Sequence, residues 1–194
     1  MPIQTISSIY YNIIGGTKKE KEAGKVYETI VAHARSTEFY KSYAIPDSWE
    51  GRFEIITLHM FLFLQRLKAE DDSEAEIGKL VLEAFFSDLD GSLRERGVGD
   101  TVVPKKMQKL AKSFYQRVYT YSESLENKDQ AHLASEIQQH VYDYLLENED
   151  ENKRYACASA LSAYLHKAYR EICNNPLEQF MLGQIKFIQP EIVS

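Results

Sequence analysis

Three features of the sequence predict an all-α fold: a single-domain bundle of six to seven helices with no significant sheet. Apolar residues recur at spacings of three and four along most of the chain, the period of a helix with one buried face. Helix starters and stoppers punctuate that pattern, with Ser, Asp or Pro where a stretch begins and Gly or Asn-Pro where it ends. Helical periodicity also occupies the chain too densely to leave room for much strand, and no fixed internal period suggests a solenoid.

The elements follow in order. Ile3, Ile6, Ile9, Tyr10, Ile13 and Ile14 form an amphipathic stripe that Gly15 and Gly16 interrupt, with Lys18, Lys19 and Lys21 behind it. An apolar stripe beside lysines suits either packing on the domain or peripheral contact with a membrane surface. A helix is expected from about Glu22 to Ser36, burying Val26, Tyr27, Ile30 and Val31. The aromatic segment with Phe39, Tyr40 and Tyr43 leads to a break at Pro46, after which Asp47 or Ser48 can cap the next helix. That helix, about Trp49 to Ala69, is apolar on most sides, which suits a central element. Ser73 to Glu76 has the form of a capping box, and the helix it would start carries Ile77, Val81, Phe85, Leu89 and Leu93, with Gly97 as a left-handed stop. Pro104 suits the first turn of a helix running to about Tyr121. Two more helices are expected, from about Asp129 to Glu147 and from Asn152 to Cys173; the second is rich in Ala, which permits close approach. A short amphipathic piece, Leu177 to Ile185, precedes an extended tail. The resulting organisation is an N-terminal segment 1–21, a helical domain 22–185 and a C-terminal tail 186–194.

Composition narrows the function. With 194 residues and 44% hydrophobic content the chain can bury a real core. Its 13 Tyr and 9 Phe against 1 Trp favour half-wet aromatic surfaces that suit protein partners. A net charge of −6 argues against a nucleic-acid binder, whose affinity comes largely from neutralising phosphates. The run Lys105, Lys106, Lys109 and Lys112 is local and reads as a solvated helix face. Cys157 and Cys173 on one helix would stand ~24 Å apart, too far for a disulfide, which suits a reducing compartment. The start of the chain carries neither a secretory signal nor an Arg-rich transit pattern, and the apolar run Ile55 to Leu64 is about half of what spans a bilayer. A cytoplasmic protein is expected.

Enzyme signatures are scarce. There is no phosphate-binding glycine loop, no HExxH, no nucleophile elbow and no pair of Glu-x-x-His repeats. His132, Glu136 and His140 share a helix face at four-residue steps, but such a set reads first as a solvated stripe. Asp88 and Asp90 point about 200° apart on a helix and cannot share an ion, whereas Asp90 and Arg94 are neighbours. No metal, cofactor or catalytic residue is expected, and protein binding is the better reading. The alternative is a small-molecule or metal-dependent helical enzyme using the Asp, Arg and His groups at the helix junctions.

Two runs carry a resemblance. Pro46-Asp47-Ser48-Trp49-Glu50-Gly51-Arg52-Phe53-Glu54 leads into Leu58-His59-Met60. Asp88-Leu89-Asp90-Gly91-Ser92-Leu93-Arg94-Glu95-Arg96-Gly97-Val98-Gly99-Asp100 precedes Val103-Pro104-Lys105-Lys106-Met107 and then Phe114-Tyr115-Gln116-Arg117. In this order, over roughly Val26 to Tyr169, the chain resembles the ubiquinol–cytochrome c chaperone family, the assembly factors of the respiratory bc1 complex, in a bacterial form. Gln116 and the pair Gln139-His140 depart from the family pattern. The resemblance implies an all-helical, non-enzymatic chaperone that binds newly made cytochrome b or a bc1 assembly intermediate, with a second small assembly factor as a further partner. It implies a site at the inner face of the cytoplasmic membrane. Carried over by position, it implies partner contacts at Arg35, Tyr40, Asp47, Arg52, His59, Asp90, Arg94, Glu95, Asp100, Tyr115 and Arg117, and turn-forming roles for Gly51, Gly97 and Gly99. A chaperone of this kind is expected to expose Tyr and Phe, from the Trp49–Ala69 or Asp129–Glu147 helices, as an apolar patch.

Overall fold

The computed structural model describes residues 17–68 and 72–191, apart from the side chains of 72–74. The apolar stripe of the first sixteen residues lies outside them. Among the described residues the regular structure is entirely helical. Six helices are eight residues or longer: α1 (Lys18–Ala34), α3 (Trp49–Leu67), α4 (Asp72–Glu95), α5 (Val103–Glu126), α6 (Gln130–Ile137) and α8 (Glu151–Cys173). Three are short: α2 (Thr37–Lys41), α7 (Asp143–Leu145) and α9 (Leu177–Met181). A π-helical turn, Gln138–Tyr142, joins α6 to α7.

The described residues form two compact units. The first is drawn from the chain up to Ile30, from Leu67–Tyr115 and from Asn175–Ile185; the second from Val31–Arg66, Gln116–Asn174 and the segment after Lys186. The chain passes between them within α1, at the last residue of α3 and within α5, so neither unit is a contiguous stretch of sequence.

In the first unit, α1, α4 and the N-terminal half of α5 contribute buried Val26, Tyr27, Phe85, Leu89 and Phe114. The ring of Phe85 lies 6.2 Å from Tyr27 and 5.2 Å from Phe114. The Tyr27 hydroxyl donates to Asp88 at 2.8 Å, which gives the buried phenol a partner and ties α1 to α4. α4 ends as its Gly97 predicts: with φ +78°, Gly97 donates to the Arg94 carbonyl and Val98 to that of Leu93, closing the last turn with two capping bonds. Gly99 has no positive φ; its carbonyl accepts from Val102 and Val103 and launches α5. After α9, Gly183 turns at φ +80°, and its carbonyl accepts from Thr29 of α1 at 2.8 Å. A side chain there would meet the Lys25 backbone at 3.1 Å. The capping box expected at Ser73 falls on side chains outside the described ones; α4 already runs at Asp72, and the Glu76 carboxylate takes the Lys19 ammonium.

In the second unit, α3 is the central helix anticipated from its composition: Ile55, Leu58, Met60, Phe61, Leu62 and Phe63 are all buried. Ser48 caps it by accepting from the Gly51 N–H at 3.1 Å. Gly51 stands inside this helix rather than in a turn. It lies where the chain folds back from Pro46, and a Cβ would sit 2.0 Å from the Pro46 carbonyl oxygen. α6 packs on α8, where Ala158 and Ala168 are buried and Ser162 donates to the Gln130 carbonyl at 2.9 Å. Asp129 and Asp150 cap these two helices with their carboxylates. Cys157 and Cys173 are both free and both on α8.

The structure departs from the sequence reading in four further places. α1 begins at Lys18 rather than Glu22, because Thr17 and Glu20 cap each other reciprocally. The aromatic segment winds into α2 before Ala44 turns it at φ +53°. α5 runs on to Glu126, because Tyr121 and Leu125 continue its buried face. The Asp129–Glu147 helix is broken by the π turn, which carries Val141 and Tyr142 into the core, where the Tyr142 hydroxyl donates to the Tyr43 carbonyl at 2.6 Å.

Candidate functional site: polar ties at the helix junctions

Most of the residues singled out from the sequence gather at the start of α3 and at the end of α4. At the first, in the second unit, Arg52 faces outward and its Nε and Nη2 both donate to Asp47 at 2.8 Å. This bond holds the guanidinium firmly protonated. Tyr40 is half-buried beside them and donates to the Ala34 carbonyl at 3.2 Å. Burial raises its phenol pKa; Arg52 and Arg35 oppose the rise and Asp47 adds to it. These four residues form one exposed polar rim around the break at Pro46.

The inward side of the same turn holds a different cluster. Glu54 and Arg117 are buried and form a bidentate pair, Arg117 Nε to Oε2 at 2.9 Å and Nη2 to Oε1 at 2.7 Å. Nη2 also donates to the His140 carbonyl at 3.0 Å, within the π turn. Burial pushes the Glu54 carboxyl up and the Arg117 charge pulls it back, leaving it at about 7. The buried Tyr121 ring lies 6.3 Å from that of His140. Burial, and then the Arg117 charge, lower the His140 pKa.

A second buried network crosses α1, α3 and α8 in this unit. His59 is fully buried; its Nδ1 lies 2.8 Å from the Ile55 carbonyl and its Nε2 2.9 Å from the Tyr164 hydroxyl. The same hydroxyl lies 2.9 Å from His33 Nε2. A carbonyl only accepts, so His59 carries its proton on Nδ1 and its Nε2 must accept from Tyr164. Tyr164 therefore accepts from the Nε2–H of His33. The chain has one direction: His33 to Tyr164 to His59 to the Ile55 carbonyl. Burial keeps both imidazoles neutral, lowering His33 to about 4 and His59 to about 3, the latter also opposed by His33. Phe39 packs edge-on to His59, and Phe187, from the C-terminal segment, stacks on His33 at 4.5 Å with the rings 9° apart.

At the end of α4, in the first unit, Arg94 bonds both Asp90, one turn back, and Asp100, across the turn that Gly97 makes. All three are solvent-accessible. Their bonds hold Arg94 more firmly protonated, led by the hydrogen bond to Asp90. Glu95 is exposed beside them. Tyr115 is 53% exposed, with its ring 5.3 Å from Phe114. Further exposed tyrosines in the second unit are Tyr119 at 72%, Tyr144 at 65% and Tyr155 at 42%. Large apolar groups are therefore exposed on α5, α7 and α8 but not on α3, whose aromatic residues are buried or half-buried.

Of the residues proposed from the sequence, the structure groups Arg35, Tyr40, Asp47 and Arg52 on one rim and Asp90, Arg94 and Asp100 on another, and places His59 and Arg117 inside. Sequence reading missed the partners of those inner two, Glu54, Tyr164 and His33. Each had a weak signal: Glu54 closes the Pro46–Glu54 run, and His33 continues the buried face of α1 three residues after Ile30. His132 and His140 approach the Glu136 carboxylate at 3.6 and 3.4 Å. Among the described residues no group of three or more His, Cys, Asp and Glu is arranged to hold a metal ion, and no helix is long and apolar enough to cross a membrane.

These features define an all-helical protein whose polar side chains chiefly tie helix junctions together. Comparison with known proteins gives that class a family: the chain belongs to the ubiquinol-cytochrome C chaperone family, whose model matches residues 41–187. It is 24% identical over 105 residues to ubiquinol-cytochrome c reductase complex assembly factor 1 of Mus musculus, a match that covers 54% of this chain and 36% of that protein. With the Drosophila melanogaster protein of the same name it shares 22% over 181 residues, 88% of this chain and 67% of the other. The chain thus spans only about a third of the mouse relative's length. The crystal structure of the Cbp3 homolog from Brucella abortus superposes with a TM-score of 0.77 at 32% identity, covering 94% of this chain and 96% of that one.

Proposed function

We propose that this protein is a non-enzymatic assembly chaperone of ubiquinol–cytochrome c reductase that binds newly made cytochrome b and hands it to the growing bc1 complex. The observation that carries this reading is membership of the chaperone family across residues 41–187. The exposed tyrosines support it, because a phenol can cover an apolar client surface while keeping its hydroxyl in water. Within this reading Arg35, Tyr40, Asp47 and Arg52, together with Asp90, Arg94, Glu95, Asp100 and Tyr115, are the outward groups available to a partner. His59 and Arg117 act from inside by fixing the helices that carry them. Residues 22–185 form the chaperone domain, residues 1–21 supply peripheral contact at the inner face of a bacterial cytoplasmic membrane, and a second small assembly factor completes the complex.

The test is capture of the tagged protein from its host in mild detergent. Cytochrome b recovered without the other bc1 subunits supports an early assembly chaperone. Absence of cytochrome b from a capture in which the protein is intact refutes it.

A further inference from the structure

We propose that the solvent-facing side of the first three turns of α5 docks on an anionic phospholipid surface. Lys105, Lys106, Lys109 and Lys112 are all exposed there. No acidic residue occurs in α5 before Glu123. Among the described residues none of these four lysines has an ion-pair partner. The fold gains nothing from the arrangement. The N-terminal end of a helix carries the positive end of its dipole and favours carboxylates, so lysines there are misplaced. Lysines three and four residues apart on one helix also repel one another. A chain with a net charge of −6 thus concentrates unpaired positive charge at a position where its own electrostatics disfavour it. A counter-charge from outside relieves both penalties.

The surroundings point to lipid headgroups. Val102, 45% exposed, stands before the lysines and Tyr115, 53% exposed, after them. Lysine stems lie along an apolar boundary while their ammonium groups reach phosphate, and a tyrosine ring sits naturally at headgroup depth. Single-stranded RNA fits less well: the face presents lysine rather than the planar, bidentate arginine that phosphate and base recognition favour. The inference adds a second lipid-facing surface to the peripheral contact proposed above for residues 1–21, and it does not depend on cytochrome b binding.

The test is co-sedimentation of the full chain with vesicles of phosphatidylcholine alone and of phosphatidylcholine with about a third phosphatidylglycerol. The expected result is binding to the anionic vesicles only, lost as salt rises to about 0.5 M. The triple variant K105Q/K109Q/K112Q should bind about 100-fold more weakly, since each lysine near such a surface strengthens binding about fivefold. It should keep its circular dichroism and melt no lower than the parent, because repulsion has been removed. Equal binding to neutral vesicles, no binding to either, undiminished binding by the triple variant, or tighter binding to single-stranded RNA than to the anionic vesicles would each overturn the proposal. Cytochrome b capture is read separately, so failure of the lipid site and failure of the chaperone reading are distinguishable.

Discussion

Replacing Tyr164 by Phe removes one oxygen from the directed chain of hydrogen bonds through α1, α3 and α8. In the parent that oxygen accepts from His33 and donates to His59, at 2.9 Å each. A typical hydrogen bond contributes about 1 kcal/mol net, and a buried polar atom left without a partner costs roughly 1–3 kcal/mol. His33 is only partly buried and can turn to water. His59 is fully buried, and its Nε2 has no other route to a donor without moving the ring out of the aromatic cluster of Phe39 and Phe187. The expected loss is therefore about 3 kcal/mol, the upper end of that range. At about 2–4 °C per kcal/mol for a chain of this size the melting midpoint falls by roughly 6–12 °C. Urea titration followed by circular dichroism gives the same quantity independently. Adding His59→Leu should cost less than the sum of the single effects by more than about 1 kcal/mol, because the orphaned nitrogen is then gone. A Tyr164→Phe loss under about 0.5 kcal/mol, or strict additivity in the double variant, would refute the directed chain.

Other outcomes follow from the same geometry. Arg117→Met leaves Glu54 buried without its counter-charge or its hydrogen-bond donors and should lower stability by about 3 kcal/mol, while Arg117→Met with Glu54→Gln should recover part of that loss; chemical denaturation of the two variants checks this. Gly51→Ala drives a methyl group against the Pro46 carbonyl at 2.0 Å, where only backbone movement can relieve it, and should cost about 3 kcal/mol in the same assay. Acid should destabilise the protein through His33 and His59: their lowered pKa values stabilise the fold fully above about 6.5, and the gain is lost as pH falls toward about 4 and about 3. Glu54 acts oppositely, since its raised carboxyl favours the fold below its ordinary value and that gain is lost as pH rises through about 7. Melting scans across pH should accordingly show a flatter acid limb in His59→Gln and a weaker neutral-side decline in Glu54→Gln. Arg94→Ala should shift the melting midpoint much less than Tyr164→Phe and weaken cytochrome b capture more than it weakens folding, because all three members of its cluster are open to solvent.

The helical architecture was legible because periodicity and capping chemistry agreed: Ser48, Gly97, Asp129 and Asp150 all act where their residue types suggest. The π turn was not legible. Nothing in Gln138 to Tyr142 breaks a helix; the turn coincides with two long-range bonds, Arg117 to the His140 carbonyl and Tyr142 to Tyr43, which a local pattern does not reveal. The interior polar groups were hidden for a similar reason. His59 and Arg117 stood out as residue types, but Tyr164 read as one more inward aromatic of α8, and only the packing of α8 against α1 and α3 turns it into the bridge between two histidines.

The two runs that carry the family resemblance divide their residues between the inside and the outside of the same turns. Along Pro46–Glu54, Gly51 allows the close return past Pro46, Glu54 goes inward to Arg117, and Arg52 goes outward to Asp47. Along Asp88–Asp100, Asp88 receives the Tyr27 hydroxyl, Gly97 closes the helix, and Arg94 holds Asp90 and Asp100 together at the surface. Nearly every distinctive residue in these runs already has a bond that shapes its own junction. A motif of this kind identifies the fold that a chaperone needs more directly than it identifies the surface that meets the client. The groups without such internal duties are the exposed tyrosines and the α5 lysines, which lie outside or at the edges of those runs. Substituting Tyr119 and Tyr144 by Ser, two solvent-facing positions, should therefore reduce cytochrome b capture while leaving the melting midpoint nearly unchanged; capture unaffected by both changes would return the client contact to the polar rims at Arg52 and Arg94.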